Sequence, residues 1–263
     1  MTSLSLTKSD FRKELSWQWL GHRDSTLWST EDLDEIDSMI RAGERQFYHP
    51  LPVAGDRKGH IWSFLRVIET LKTVSGRDTI ALPPDFSGFS GPITFKSSDN
   101  AWLPINVTGE YRIRQVKQQE YSTVNTFPQM AAVIPVRAQM GEDQHHLLKL
   151  YPTPNAAYTL SFEYIRRPPG MDDDNPYPIC GQEHAETLLA SCLAVAEQRL
   201  SEEEGKHTRN FEKRLAASVG FDRQAHAPDH MGLNNDHSDG YLLNEQDYRR
   251  FAGDIVDTSD IEP

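Results

Sequence analysis

The chain reads as an α+β protein with a helical part, a β-rich insertion and an extended C-terminal tail. Three observations carry that class. Apolar residues recur at helical spacing on both sides of the insertion, at Leu33, Ile36, Ile40, Gly43 and Phe47 and again at Ala185, Leu188, Cys192, Val195 and Leu200. Between them lie short β-type runs punctuated by Gly, Pro and Asn, and one of these, Tyr158 to Tyr164, alternates strictly between apolar and polar residues. From residue 226 onward there are nine acidic and two basic side chains, with too few apolar residues to build a core. The expected organisation is one α+β unit over residues 1–225, followed by an acidic tail at 226–263. Within that unit the helical parts cover about 1–60 and 181–225 and the β-rich part about 61–180.

Thr7 and Asp10 have the spacing of an acidic capping box, Phe11 and Leu15 share a face, and Gly21 supplies a stop, so a helix is expected from Thr7 to about Trp19. The second helix, 29–47, has stronger signals. Ser29 caps with Asp32 at the third position, Trp28 and Leu33 occupy the staple positions, and Pro50 and Pro52 end it. Residues 60–73 fit a helical period through Trp62, Leu65 and Ile68, but the second half is read as strand. That strand is expected to pair with Thr79–Leu82 across Ser75-Gly76-Arg77-Asp78. Ile93–Phe95 and Trp102–Val107 suggest a second hairpin, and Glu110–Gln119 a short polar helix. Met130–Val136 contains Pro135, which argues for a sheet edge or a bulge. Tyr158–Tyr164 is expected to pair with Leu147–Tyr151 through Pro152–Asn155. Helix returns at Gln182 on an Ala-rich segment suited to close packing, and Phe211, Leu215 and Val219 mark a further helix to about Gln224.

Charge and motif content narrow the chemistry. Twenty-seven basic residues against 39 acidic ones leave a net charge of −12, which disfavours a protein whose main task is neutralising nucleic-acid phosphates. Cys180 and Cys192 are too few for a disulfide framework, and Met1-Thr-Ser-Leu-Ser-Leu lacks the pattern of a secretion signal. No run is long enough to span a bilayer, so the expectation is a soluble protein assembled in a reducing compartment. His184-Ala185-Glu186 resembles a fragment of a zinc-deaminase motif but lacks the Pro-Cys-x-x-Cys partner, and a helix start with buried thiols is the plainer reading. His145-His146 falls in a strand, where successive side chains point apart. His226, His230 and His237 alternate with Asp229, Asp236 and Asp239 at no defined ligand spacing. Asp172-Asp173-Asp174 reads as a solvated loop, lacking the Gly and distal Glu of a calcium loop, and Asn106-Val107-Thr108 as a sequon without a route to modification. Nucleophile elbows, phosphate loops and dinucleotide fingerprints are absent. No catalytic residue, metal or cofactor is expected.

Aromatic residues remain. Trp62, Phe64, Phe86, Phe89, Phe95 and Trp102 are read as core of the β-rich region. In the tail, Tyr241, Leu242, Leu243, Tyr248, Phe251, Ile255 and Val256 have no core of their own, so they are expected to dock on another chain.

Four segments, in order, carry a family likeness: DLDEIDSMIRAGERQFYHP (Asp32–Pro50), HIWSFLRVIETLKTVSGRDTIALPPDFSG (His60–Gly88), LLKLYPTPNAAYTLSFEYIRRP (Leu147–Pro168) and HAETLLASCLAVAEQRL (His184–Leu200). Over roughly residues 28–224 this set resembles the head–tail adaptor proteins of tailed bacteriophages, which dock beneath the portal ring. The resemblance implies a structural virion protein of the neck, assembled in the host cytoplasm. It implies a homo-oligomeric ring of twelve copies that binds the portal protein and a downstream tail or nozzle protein while genomic DNA passes without sequence-specific contact. It implies a helical part beside the portal and a β-rich part toward the tail, with no membrane partner. A net negative wall would lower adhesion of passing DNA. The alternatives are another neck or tail component, such as a tail-completion or tail-tube protein, or a small-molecule-binding or hydrolytic enzyme.

Overall fold

The computed structural model describes residues 4–53, 58–96, 103–119, 125–136, 144–201 and 205–225. In chain order the helices are α1 (Lys8–Leu20), α2 (Thr30–Tyr48), α3 (Glu110–Gln119), α4 (Gly181–Ser201) and α5 (Lys206–Ala225). The strands are β1 (Arg66–Lys72), β2 (Thr79–Ala81), β3 (Phe86–Phe89), β4 (Thr94–Phe95), β5 (Asn106–Val107), β6 (Met130–Pro135), β7 (His146–Tyr151) and β8 (Thr159–Arg166). The class is α+β, as expected.

Local signals place the helices. Asp10 reaches back to the Thr7 N–H at 3.0 Å, Asp32 does the same for Ser29 at 3.0 Å, and both complete capping boxes. Gly21 ends α1 at φ 78, a left-handed cap that a Cβ would strain, and its N–H reaches Trp17 O. α2 buries Ile36, Met39, Ile40, Gly43 and Phe47, the anticipated face. α4 departs from its expected single stripe. Packed against α1, α2 and α5, it buries Ala185, Leu188, Ala190, Cys192, Ala194 and Ala196 on several sides, while Leu200 in its last turn is exposed. A helix surrounded by helices needs small residues all round. The helical parts from the two ends of the chain thus share one core, joined by Trp62 and Leu65. Trp62 stacks on Phe47 at 4.7 Å and donates from Nε1 to Phe47 O at 3.0 Å.

The β-rich part corrects three pairing expectations. Its two sheets run β1-β8-β3, with β4 also on β8, and β2-β7-β6-β5. β1 pairs with β8, aligning Val67 with Tyr164 and Leu71 with Leu160, and not with Thr79–Leu82. β2 pairs instead with β7, and β7 pairs with β2 and β6, never with β8. The reason lies at the corner. Ser75–Asp78 and Pro152–Asn155 run side by side, with Gly76 N–H donating to Pro154 O at 2.8 Å and Ser75 Oγ to Asn155 O at 3.0 Å. Both connections cross from one sheet to the other, so two strand pairs bend over together where two hairpins were anticipated. The expected second hairpin also divides. β4 joins β8 and β5 lies parallel to β6, leaving one antiparallel bridge, Ile93–Ile105. Trp102 and the turn around residues 97–102 lie outside the described residues.

Pro135 ends β6, which is an inner strand of its sheet. β5 covers β6 only at Met130 and Ala131, so the side of Pro135 away from β7 faces no strand, and its missing N–H interrupts no ladder. Between the sheets lie Leu82, Phe86, Ile93, Ala131, Leu148, Leu150, Leu160, Phe162 and Tyr164. Alternation along β8 buries Leu160, Phe162 and Tyr164. On the opposite face of the second sheet, α3 packs Ile113 against Ala132 and Tyr151. Phe86 is fully buried, whereas Phe64, Phe89 and Phe95 are half-buried against the cores.

Candidate interaction surfaces

The residues singled out for chemistry are distributed as structural groups. Cys192 is completely enclosed between α4 and α2, and burial raises its thiol well above the ordinary range. Burial likewise pushes Cys180 up to about 12, so both sulfurs stay protonated and unreactive at neutral pH. His184 is buried in an aromatic nest with Trp62 at 5.1 Å, Phe64 at 5.7 Å and Phe221 at 5.8 Å. His145 precedes β7, while His146 opens it 5.7 Å from Phe86, and burial lowers its basicity. Asp173 meets Lys8 and Arg12 at 3.3 and 3.5 Å, and Asp172 accepts from the Asn175 N–H, so this acidic run fastens a loop to α1. Among the described residues no three His, Cys, Asp or Glu side chains gather in a way that could hold a metal ion. None of the described helices is long and apolar enough to cross a membrane. His226, His230 and His237 lie outside the described residues.

Two buried carboxylates do organise the helical part. Glu44 on α2 accepts the Met171 N–H at 2.8 Å, and burial raises its pKa above the usual carboxylate range. Asp222 on α5 accepts from Ser63 N–H at 3.1 Å and Ser63 Oγ at 2.5 Å, and it also meets His60 Nε2 at 2.7 Å. Burial pushes Asp222 up, but the bonds from Ser63 and His60 outweigh it and hold it below its ordinary value. This carboxylate pins the segment entering β1 to the last turn of α5. No local pattern announces it, because its partners are 162 and 159 residues away.

Helices α2 and α4 approach closely at Gly43, where an added Cβ would stand 2.5 Å from Cys192 Sγ and 2.7 Å from Cys192 Cα. Ser191 Oγ donates to Gly43 O at 2.9 Å across the same contact. This face is filled. The outward faces differ. Trp17 at the end of α1 is 55 % exposed beneath the Arg23 guanidinium, and Leu27 and Leu51 are also exposed. On α5 the buried residues Thr208, Phe211, Leu215, Ser218, Val219 and Asp222 form one side. The other side presents Lys206, Arg209, Lys213, Ala217 and Gly220 to solvent. Tyr241, Leu242, Leu243, Tyr248, Phe251, Ile255 and Val256, the expected docking residues, lie outside the described residues. The α5 surface went unread in the sequence, although its signal was there: Lys206, Arg209 and Lys213 recur at helical spacing opposite the apolar stripe.

With this architecture in view, the chain matches the family model of the SU10 adaptor protein over residues 4–232. No curated protein matches it. The chain belongs to the SU10 adaptor family, and is accordingly an adaptor-type structural protein of a bacteriophage virion that works against other head or tail proteins.

Proposed function

We propose that this member of the SU10 adaptor family forms a ring below the portal, joins the capsid to the tail and leaves a channel for genomic DNA. The match over residues 4–232 carries the reading, since it spans both helical parts and the whole β-rich insertion. Twelve copies match the expected portal symmetry, and the site of action is the virion neck. Residues 1–225 act as one adaptor unit. Residues 226–263 act as a docking tail through Tyr241, Leu242, Leu243, Tyr248, Phe251, Ile255 and Val256. The exposed Trp17, Leu27 and Phe221 on the helical part support contacts made through its outer surface, because such apolar groups gain from being covered. The net charge of −12 supports passage of DNA without adhesion.

The role is mechanical and no step of covalent chemistry is assigned. Light scattering after size exclusion, with negative-stain imaging of the purified chain alone and mixed with its cognate portal, tests the reading. Closed rings or decorated portals are the expected result. A monomer that neither self-associates nor binds the portal would overturn it.

A further inference from the structure

We propose that the outward face of α5 is the receptor for the acidic tail, residues 226–263, of a neighbouring copy of this chain. The inference rests on the ring reading and names one contact within it. α5 carries five basic residues, Lys206, Arg209, Lys213, Arg214 and Arg223, in a chain whose net charge is −12. Its two acidic residues are Glu212 and Asp222, and Asp222 is turned inward onto His60 and Ser63. Lys206, Arg209 and Lys213 are exposed and make no ion pair among the described residues. Among the described residues Arg214 pairs with Glu186 alone, at 3.7 Å between half-exposed side chains. Glu202, Glu203 and Glu204 precede α5 in the sequence and lie outside the described residues. Lys206, Arg209 and Lys213 thus face solvent with no ion-pair partner among the described residues, an arrangement that favours an acidic ligand.

The tail has the matching charge. Its nine acidic and two basic residues give it a net −7, the larger part of the charge of the whole chain. Surface shape adds to the match. Ala217 and Gly220 continue the outward ridge beyond Lys213, an added Cβ at Gly220 would meet nothing within 4 Å, and Phe221 beside them is 51 % exposed. The low, partly apolar half of the ridge can receive the aromatic anchors, while the basic half receives the carboxylates.

Length brings the neighbouring copy within reach. α5 has 20 residues and is about 30 Å long. The first anchor, Tyr241, follows Ala225 by 16 residues, an extended reach on the order of 50 Å. That is enough to cross a subunit boundary, and the ring reading puts a neighbour there.

Carbodiimide cross-linking of the full-length chain tests the proposal. Unlabelled and ¹⁵N-labelled copies are mixed at high salt, dialysed to low salt, cross-linked and mapped by mass spectrometry. The expected products join Lys206 or Lys213 to tail carboxylates as mixed-isotope pairs. Their yield should fall as salt is raised. Arg209→Glu with Arg214→Glu leaves both lysines in place and should cut the yield about five- to ten-fold, the effect of reversing two exposed charges. Arg209→Lys with Arg214→Lys should restore it. Same-isotope pairs alone would mean that each tail covers its own α5, and absence of these links would mean that α5 is not the receptor; either result overturns the proposal. Closed rings without the links would remove this contact and leave the ring reading, whereas mixed-isotope links in open assemblies would do the reverse.

Discussion

At Gly43 the helices α2 and α4 approach until a Cβ has no space, with Cys192 Sγ, Cα and N all within 2.8 Å of where it would stand. At Gly88 in β3, a Cβ would meet nothing within 4 Å. The two glycines belong to regions of different design. The helical part gains its stability from close contact between small residues, Gly43 of α2 facing Ser191 and Cys192 on the alanine-rich α4. The β-rich part relies on large side chains, Phe86, Leu160, Phe162 and Tyr164, filling the space between its sheets, with backbone edges left open. Added volume is therefore destructive in the first region and tolerated at the edges of the second.

The largest expected effect is that of Gly43→Ala. Its Cβ meets backbone atoms of α4, so the helices must separate, at about 2–3 kcal/mol even after the better helix propensity of Ala. Calorimetry should show a lower Tm, and an unchanged Tm would mean that the helical core is as yielding as the sheet edge. Asp222→Asn comes next, at about 2 kcal/mol, because it removes charged acceptors from Ser63 and His60 where the two regions join. Its pH signature has a definite sign. The folded pKa of Asp222 is depressed, so its contribution is present above the unfolded value near 3.9 and is lost as pH falls through the folded value. The wild-type advantage over Asp222→Asn should shrink below about pH 4. If the junction holds the regions together, the variant should also split one thermal transition into two.

Ser29→Ala should cost about 1 kcal/mol by removing the cap of α2, a loss confined to the helical region and visible as earlier helix melting by circular dichroism. Gly88→Ala should be the mildest, within about 0.5 kcal/mol of wild type in a denaturant titration. A larger loss at Gly88 would erase the contrast between the two regions.

The sequence by itself determined what is held by neighbours along the chain. Thr7 with Asp10 and Ser29 with Asp32 are three residues apart, and their capping boxes form as read. The span of α3, the alternation of β8 and the strand reading of Arg66–Lys72 were equally legible, since helical period and strand alternation are local properties. The docking role proposed for the tail residues rests on composition alone. Tertiary structure decided who pairs with whom. Val67 lies against Tyr164 and Ile80 against Leu148, and a hairpin within 66–82 would have satisfied the same alternation with far less chain between partners. The corner where Gly76 meets Pro154 turns both strand pairs into opposite sheets, and only the folded chain brings those turns together. The same holds for Asp222 with His60 and for Gly43 with Cys192. Each contact is short-range in space and long-range in sequence, and its strength depends on the surrounding packing that excludes water, which no single segment encodes.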